Sequence, residues 1–346
     1  MDRSSSKQLP QEILPKTRWQ SIYMLLPLCL VMIILVNLVM IGYLDRYSIN
    51  YGFWTIHQKW NLLGHLRSPM DWLILGDSSC SQGVMPSIFE NKLDQSAINL
   101  CTTGDFGTLG DLWMLEEYIQ RFGAPKNVLV VHTYDIWYRD FNPVRLGQIP
   151  RPWRFWESHT FGNELMAKNE VRDNTFIEHF VPLYSQNNTI GRIIRSTLAG
   201  DLNPFISMWT MNQDGFVPAE EPKPEIVLAG EVQQLDFVTQ NTFHISYLND
   251  QALREMAKLA DMYQFNLYLA NAPVFADLYD NADYQAYFNS ERTYLQEVAD
   301  QSSYAHYISA VRAFPAEQMQ NPDHLIVTGA EEYTQWLVGE ILQIGR

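Results

Sequence analysis

The pattern of apolar and polar positions separates an uncharged N-terminal segment from a longer part in which short apolar runs alternate with amphipathic ones. Residues 21–44 contain no charged side chain, and Asn37 is their only strongly polar residue. A helix of this length covers about 30 Å or more, which is enough to cross a bilayer. Because the pattern leaves no polar face, it predicts a transmembrane helix over residues 21–44.

Basic residues flank this segment unequally. Those before it are Arg3, Lys7, Lys16 and Arg18, whereas those that follow are Arg46 and, further on, Lys59. The positive-inside bias predicts residues 1–20 as a cytoplasmic tail and everything after Leu44 as extracytoplasmic. A cleaved signal peptide would need a small-x-small site after the apolar core, and Gly42-Tyr43-Leu44-Asp45-Arg46 offers none. An uncleaved anchor is therefore the favoured interpretation.

After the anchor, strand-like and helix-like patterns alternate. Residues 45–70 are predicted as a juxtamembrane linker whose aromatic residues, such as Trp54 and Trp60, lie partly at the membrane interface. Short apolar runs predict strands at 71–75, 96–100, 127–131, 267–270 and about 306–309. Helical spacing covers 85–93, 109–122, 189–198, 251–263 (with Asn249 or Asp250 as its N-cap), 291–299 and 329–344.

This alternation predicts an α/β domain over residues 71–346, with a three-layer parallel sheet of the flavodoxin-like kind and helices on both faces. The alternation stops at about residues 140–250, where Pro, Trp, Asn and Gly occur without clear periodicity. That stretch is interpreted as a long insertion in the domain.

Composition and charge exclude several classes of function. The chain of 346 residues is 47% hydrophobic and carries a formal charge of −15, so a basic surface that binds nucleic acid is not expected. No cysteine or histidine spacing suggests a metal, and no motif suggests a cofactor.

Cys80 and Cys101 follow the first two predicted strands. A disulfide between them and two buried thiols both remain open.

The residues that can do chemistry cluster at the carboxyl ends of the predicted strands, where parallel sheets place their sites. Gly76-Asp77-Ser78-Ser79 directly follows the first strand. A glycine there permits a sharp turn that presents the next serine as a nucleophile. The alternative is that Asp77, Ser78 and Ser79 only cap the next helix.

His324 lies in the polar segment Asn321-Pro322-Asp323-His324, shortly before the last helix and at the same edge of the sheet. A nucleophilic serine needs a base that takes its proton, and histidine is the usual one. The two motifs together predict a Ser78–His324 pair.

These motifs resemble the SGNH (GDSL-type) hydrolase superfamily, and within it the membrane-anchored branch that includes the alginate acetylation proteins and the D-alanylation protein of teichoic acids. The resemblance covers about residues 71–135 and 250–346. It implies Ser78 as the nucleophile and His324 as the base. It also implies that the backbone N–H groups of Ser78 and Gly104 form the oxyanion hole.

The sequence departs from the family pattern at two positions. Tyr134 stands where the family has an asparagine that binds the oxyanion. Asn321 occupies the position of the family's acid, which would orient His324 by accepting its Nδ1 proton. Asp323 adjoins the histidine and is the possible substitute acid, although neighbouring side chains in a loop seldom point the same way.

Two hypotheses on function follow from this comparison. The resemblance implies extracytoplasmic acyl-ester transfer or hydrolysis, with O-acetylation of a surface polysaccharide as the reaction. It also implies a multi-spanning membrane acyltransferase as a partner. The departures motivate the alternative, a catalytically impaired subunit that binds glycan or assists such an acyltransferase. The feature that discriminates between them is whether Nδ1 of His324 contacts a carboxylate.

Overall fold

The structure is a computed structural model, and it describes residues 17–46, 51–200, 211–235 and 242–345. The predicted cytoplasmic tail lies mostly outside the described residues, as do parts of the linker and of the insertion. Helices α1 to α15 are Thr17–Arg46, Tyr51–His65, Ser78–Gly83, Pro86–Leu93, Gly107–Phe122, Pro143–Leu146, Gly162–Met166, Asn169–Phe180, Pro182–Ser185, Asn187–Leu198, Glu225–Val232, Tyr247–Tyr263, Ala276–Tyr279, Ala282–Ala299 and Val327–Ile344. Strands β1 to β9 are Trp72–Gly76, Ala97–Asn99, Asn127–His132, Asn266–Asn271, Val274–Phe275, Ala305–Ile308, Ala313–Phe314, Met319–Asn321 and His324–Leu325.

Five strands form the central sheet in the order β2-β1-β3-β4-β6, and every neighbouring pair is parallel. The mixed α/β class and the parallel sheet are therefore confirmed, and each predicted strand lies within one or two residues of an observed one. The register pairs Gly76 with Val131, and His132 with Asn271. The ends of β1, β3 and β4 thus meet at one edge of the sheet.

The strand residues alternate between two apolar clusters, one on each side of the sheet. Leu73 and Leu75 contribute to a cluster that includes residues of α2, α5 and α12. Trp72 and Ile74 contribute to the other cluster, with residues of α4, α14 and α15. Because side chains of a strand point alternately to opposite faces, both faces of this sheet are covered by apolar packing.

Among the described residues, α1 is the one helix that is long and apolar enough to cross a membrane, over Tyr23–Gly42. Its side chains over this stretch are almost all exposed. Within α1, Pro27 lies inside the helix.

The described part of the 45–70 segment differs from the predicted linker. It forms α2, and Trp54 and Trp60 are 9% and 1% exposed, so they do not lie at a membrane interface. Trp60 packs in the core beside Ile56 and Leu63. The sequence pattern missed this helix because its apolar face is recognised only from the sheet and helices that cover it.

Lys59 of α2, which is one of the few basic residues after the anchor, is also fully buried. Its ammonium donates to the backbone oxygen and to Oδ1 of Asn99, at 3.0 and 2.8 Å, and to the backbone oxygen of Gly215. Burial holds the pKa of Lys59 well below its ordinary value, against the opposing effect of Asp214. These bonds attach α2 to the end of β2 and to the insertion.

The described part of the insertion contains the short helices α6 to α11. Leu146, Trp156 and Leu165 join the core cluster on one side of the sheet, whereas Phe216 joins the cluster on the other side. The insertion therefore packs against both faces of the domain. The helix predicted at 189–198 is confirmed as α10.

The start of α12 differs from its predicted N-cap. Ser246 holds the cap position, four residues before Asp250. Asn249 is buried instead, and its Oδ1 accepts from the backbone N–H of Thr108 at 3.1 Å while its Nδ2 donates to the backbone oxygen of Ile136 at 2.9 Å. Asn249 thus joins three segments that are far apart in sequence, which a local capping pattern does not reveal.

Candidate active site

The turn after β1 depends on a glycine. Gly76 has a φ of +144°, and a Cβ atom there would lie 1.9 Å from the backbone oxygen of Val131 on the paired strand. A larger residue at this position is excluded by both conformation and space. The chain can therefore leave the sheet at once, and α3 begins with Ser78.

Asp77 is the N-cap of α3, so the capping interpretation holds for this residue. Its Oδ1 accepts from the backbone N–H of Ser79 at 2.8 Å and from the Ser79 hydroxyl. Its Oδ2 accepts from the backbone N–H of Thr133 at 2.8 Å, which connects the turn to the end of β3. Ser78 itself is the first residue of the helix and is partly exposed.

A buried histidine lies beneath this turn. His132 is 1% exposed, and its Nδ1 lies 3.3 Å from Asp77 Oδ2 while its Nε2 lies 2.6 Å from Asp111 Oδ2. Burial alone would lower the pKa of His132, but Asp111 and Asp77 raise it to about 10. The imidazole is therefore a cation held between two carboxylates.

The same network lowers the pKa of Asp77, whereas it raises the pKa of His132. Burial would raise the pKa of this carboxyl, but His132 and the N–H and O–H donors lower it to about 2. Asp111 also accepts from the backbone N–H of Gly76 at 3.0 Å. The turn that carries Ser78 is thus fixed by charges that lie below it.

A disulfide joins Cys80 of α3 to Cys101, which follows β2, with their Cα atoms 5.8 Å apart. Of the two states that the sequence left open, the structure has the bonded one. The bond attaches the helix that begins with Ser78 to the loop that leads to Gly104. The two elements of the predicted oxyanion hole are thereby tethered to each other.

His324 lies in a tight antiparallel hairpin of β8 and β9, in which it pairs with Asn321 across Pro322 and Asp323. The backbone N–H of Phe275 donates to the Pro322 oxygen at 2.8 Å and attaches the hairpin to β5. Strand β9 packs against α3, so the structure brings the hairpin of His324 to the helix of Ser78.

Asp323 and the amide of Asn321 both contact the same nitrogen of His324. Its Nδ1 lies 2.7 Å from Asp323 Oδ1 and 2.8 Å from Asn321 Oδ1. The backbone N–H of Asp323 also donates to Asn321 Oδ1 at 3.1 Å, which holds the amide oxygen toward the histidine. The expectation that adjacent side chains would point apart is wrong here, because the turn folds Asp323 back onto the ring of His324.

These contacts determine the charge and the tautomer of His324. Burial lowers its pKa, but Asp323, and to a smaller extent Asp77 and Asp135, raise it above its ordinary value. With two oxygen acceptors at Nδ1, the neutral ring carries its proton there, and Nε2 keeps a free lone pair. This is the tautomer that a general base for a serine requires.

Arg139 lies at the same edge of the sheet, beside Gly104. A Cβ atom at Gly104 would lie 3.1 Å from Nη1 of Arg139 and 2.5 Å from Cδ1 of Ile136, so the space around this glycine is filled. Arg139 forms an ion pair with Asp135. Burial raises the pKa of Asp135, and despite the opposing effect of Arg139 that pKa is about 6. Asp135 is therefore largely buried, and its charge contributes to the raised pKa of His324.

Tyr134 does not provide the missing amide donor of the family pattern. Its side chain is 4% exposed and packs edge-on against Tyr284, with ring centroids 5.7 Å apart. Burial, together with the charge of Asp323, raises the pKa of its hydroxyl well above the ordinary value. The phenol therefore stays neutral beside the hairpin.

The aromatic residues after β3 pack the interior rather than the mouth of the site. Trp137 is buried and donates to Glu291 Oε1 at 2.8 Å. Trp153, Phe155 and Trp156 contact one another within the insertion, for example at 4.7 Å between the ring centroids of Trp153 and Trp156. These contacts show that the aromatic residues pack the core and the insertion.

The predictions from local sequence patterns did not include Asp111 or Arg139, and they marked His132 only by its place at the carboxyl end of the third predicted strand. A signal existed for Asp111, because an acidic residue flanked by Leu109, Gly110 and Leu112 on an amphipathic helix suggests a buried partner. Arg139 had no local signal. Within the described residues, no group of three or more His, Cys, Asp or Glu side chains is arranged to hold a metal ion.

Comparison with known proteins adds little to this geometry. No protein-family model matches the chain, and no curated protein matches it. One solved structure that it resembles is a protein from Streptococcus pneumonia, provisionally described as a platelet activating factor. The two share 11% identity and a TM-score of 0.34 over 87% of this chain and 97% of that one. Similarity at this level carries no argument about fold family or activity.

Proposed function

We propose that the protein is a serine-dependent acyl-ester hydrolase or transferase of the SGNH type. Its domain would be held outside the cytoplasm by α1. Ser78 would be the nucleophile and His324 the base. The five-stranded parallel sheet, with the serine after its first strand and the histidine before its last helix, supports this assignment.

One observation carries the proposal: Asp323 Oδ1 lies 2.7 Å from Nδ1 of His324. The impaired-subunit hypothesis rested on the absence of an acid at position 321. Because Asp323 offers a carboxylate to the same nitrogen, the departure from the family pattern changes which residue orients the histidine. It does not remove the orienting group, and catalysis is therefore favoured over a purely binding role.

The reaction would proceed in two steps. Ser78 Oγ attacks the acyl carbonyl carbon while Nε2 of His324 takes the hydroxyl proton, and the resulting imidazolium is stabilised by Asp323. Collapse of the tetrahedral intermediate breaks the ester bond, and Nε2 returns the proton to the leaving alcohol. Attack by water on the acyl-serine would give hydrolysis, and attack by a sugar hydroxyl would give transfer.

Arg139 would partly replace the asparagine that binds the oxyanion in the family pattern and that this chain lacks. The backbone N–H groups of Ser78 and Gly104 are the first two donors that the resemblance implies. The guanidinium of Arg139 lies beside Gly104 and adds a positive charge near the position of the developing oxyanion. Fixed donors of this kind usually contribute most to such reactions.

The substrate would be an acyl ester on an extracytoplasmic glycan, with O-acetylation of a surface polysaccharide as the reaction class. A multi-spanning membrane acyltransferase would be the partner that handles the acyl group. The resemblance to the anchored branch and the apolar helix α1 support this assignment, and the flanking basic residues support the orientation.

The test is covalent labelling of the purified full-length chain with a serine-reactive phosphonate, followed by peptide mass spectrometry. We expect one adduct, on Ser78, and release of acetate from a small acetyl ester.

The matched control is Ser79→Ala, which removes a neighbouring hydroxyl that donates a hydrogen bond to Asp77 and leaves Ser78 in place. Ser78→Ala should abolish both labelling and turnover. A folded native chain that gives no adduct at Ser78 would contradict the catalytic proposal and favour the non-catalytic subunit.

A further inference from the structure

Asn37, the only strongly polar side chain of the apolar segment, has partners in the insertion. Its Nδ2 donates to the backbone oxygen of Phe180 at 2.5 Å, and its Oδ1 accepts from the backbone N–H of Leu183 at 3.2 Å. A polar group inside a bilayer needs partners of this kind. The junction between α8 and α9 is therefore attached to the side of α1.

The position of Asn37 along α1 indicates how deep in the membrane this junction would lie. The stretch that can span a membrane ends at Gly42, five residues after Asn37. At about 1.5 Å per residue, Asn37 lies about 7 Å inside the outer end of the span. Helices that lie in a membrane interface bury their apolar face by about 5–10 Å. The α8–α9 junction is thus at the depth of an interfacial helix.

Large apolar side chains are exposed throughout α8 to α10. Phe176 and Phe180 of α8 are 49% and 38% exposed, and Tyr184 of α9 is 68% exposed. In α10, Ile194 and Leu198 are 52% and 82% exposed. Side chains four residues apart lie on one face of a helix, so the last two form a single apolar stripe on α10. A surface of this kind, continuous with an apolar span, indicates contact with a membrane.

A cavity of about 410 Å³ separates α1 from the insertion. Its lining includes Leu38 and Ile41 of α1 and Ile149, Phe180 and Pro182 of the insertion. The cavity therefore adjoins the Asn37 contact at the same depth along α1. The wall that α1 contributes is apolar, whereas His57, Arg151, Glu178 and His179 line the side toward the domain.

We propose that α8 to α10, residues 169–198, lie on the outer leaflet of the bilayer and insert their exposed apolar side chains beside α1. The occupant of this surface is lipid. Residues 169–198 carry three basic and three acidic side chains, so the contact depends on apolar burial rather than on net charge. The domain would then be held at two places, which fixes its orientation on the membrane. This proposal rests on the membrane anchor of the proposed function and is independent of the ester chemistry.

The test uses the full chain in nanodiscs of zwitterionic phosphatidylcholine. Cys29 is the free cysteine among the described residues, so a Cys29→Ser background allows single cysteines to be labelled with an environment-sensitive fluorophore. The labelled positions are Ile194→Cys and Leu198→Cys, and the matched control is Asn188→Cys, an exposed residue of α10 away from the stripe. Labelled Cys29 in the native sequence reports on α1 itself.

We expect a nitroxide on the upper part of the lipid chain to quench the labels at 194 and 198 several-fold more than the label at 188. A nitroxide deep in the bilayer should quench them less, and high salt should leave the difference unchanged. If Cys29 is quenched while positions 194 and 198 behave like 188, the lipid-contact proposal is overturned and the anchor stands. If Cys29 is not quenched either, both are overturned.

Discussion

The two halves of the candidate active site are held in different ways. The turn of Ser78 is fixed by buried groups from distant parts of the chain, namely His132, Asp111 and the disulfide partner Cys101. The hairpin of His324 is instead organised by Asn321 and Asp323, both within three residues and partly exposed. Substitutions around Ser78 should therefore lower stability as well as activity, whereas substitutions around His324 should lower activity and leave stability nearly unchanged.

Asp323→Asn is expected to have the largest effect. The amide removes the carboxylate that stabilises the imidazolium, and it can donate rather than accept at Nδ1. We expect a loss of about 10⁴-fold in kcat/KM for a small acetyl ester. The free energy of unfolding in urea should stay within about 0.5 kcal/mol of the native value, because the substitution lies near the surface.

The pH dependence of kcat/KM gives a second test of the role of Asp323. Because Asp323 raises the pKa of His324, its removal should lower that pKa. The base form of His324 then persists to lower pH, so the acidic limb of the kcat/KM profile should move to lower pH in Asp323→Asn. An unshifted limb together with full activity would mean that another group orients His324.

His132→Leu tests the other half of the comparison. Removing the cation leaves Asp77 and Asp111 buried without their shared partner, and we expect a loss of about 3–5 kcal/mol in the free energy of unfolding. Chemical denaturation followed by tryptophan fluorescence measures it. A variant with native stability would show that the network does not hold the turn.

The stability contribution of His132 also depends on pH. Its pKa is about 10 in the folded chain and about 6.5 in an unfolded one. Protonated His132 therefore contributes fully below about pH 6.5, and the contribution is lost as the pH rises toward 10. We expect the native chain to lose stability over this window and His132→Leu to lose much less.

Arg139→Gln should have a smaller effect, confined to the chemical step. Removing a charged donor near the oxyanion is expected to lower kcat by about 10²-fold with little change in KM. Because the change also leaves Asp135 without its ion pair, the double variant Arg139→Gln with Asp135→Asn is the control. Equal losses in kcat for both variants would assign the effect to the guanidinium. Recovery in the double variant would assign it to the unpaired carboxylate.

Asn321→Asp is expected to have the smallest effect, less than about threefold in kcat/KM, which is under about 1 kcal/mol. Asp323 already accepts from Nδ1, so a second carboxylate adds little orientation. Its added negative charge should raise the pKa of His324 and move the acidic limb to higher pH. A rise in turnover of a hundredfold or more would show that the native site lacks an effective acid.

Local sequence patterns were sufficient to predict the apolar segment of α1, the five parallel strands and the edge of the sheet at which Ser78 and His324 lie. Each of these depends on local patterns: an uncharged run, apolar runs of strand length, and turns that follow them. Because parallel strands end at one edge, local patterns were also sufficient to bring two motifs from opposite ends of the chain together.

The contacts that give these residues their charge and tautomer could be seen only in the folded domain. The ion pairs of His132, the burial of Lys59 and the attachment of Asn37 to the insertion join residues that are far apart in sequence. Asp323 is close in sequence to His324, but its direction follows from the hairpin that the rest of the domain supports. Charge, tautomer and burial depend on three-dimensional surroundings, and a linear pattern records only which side chains are present.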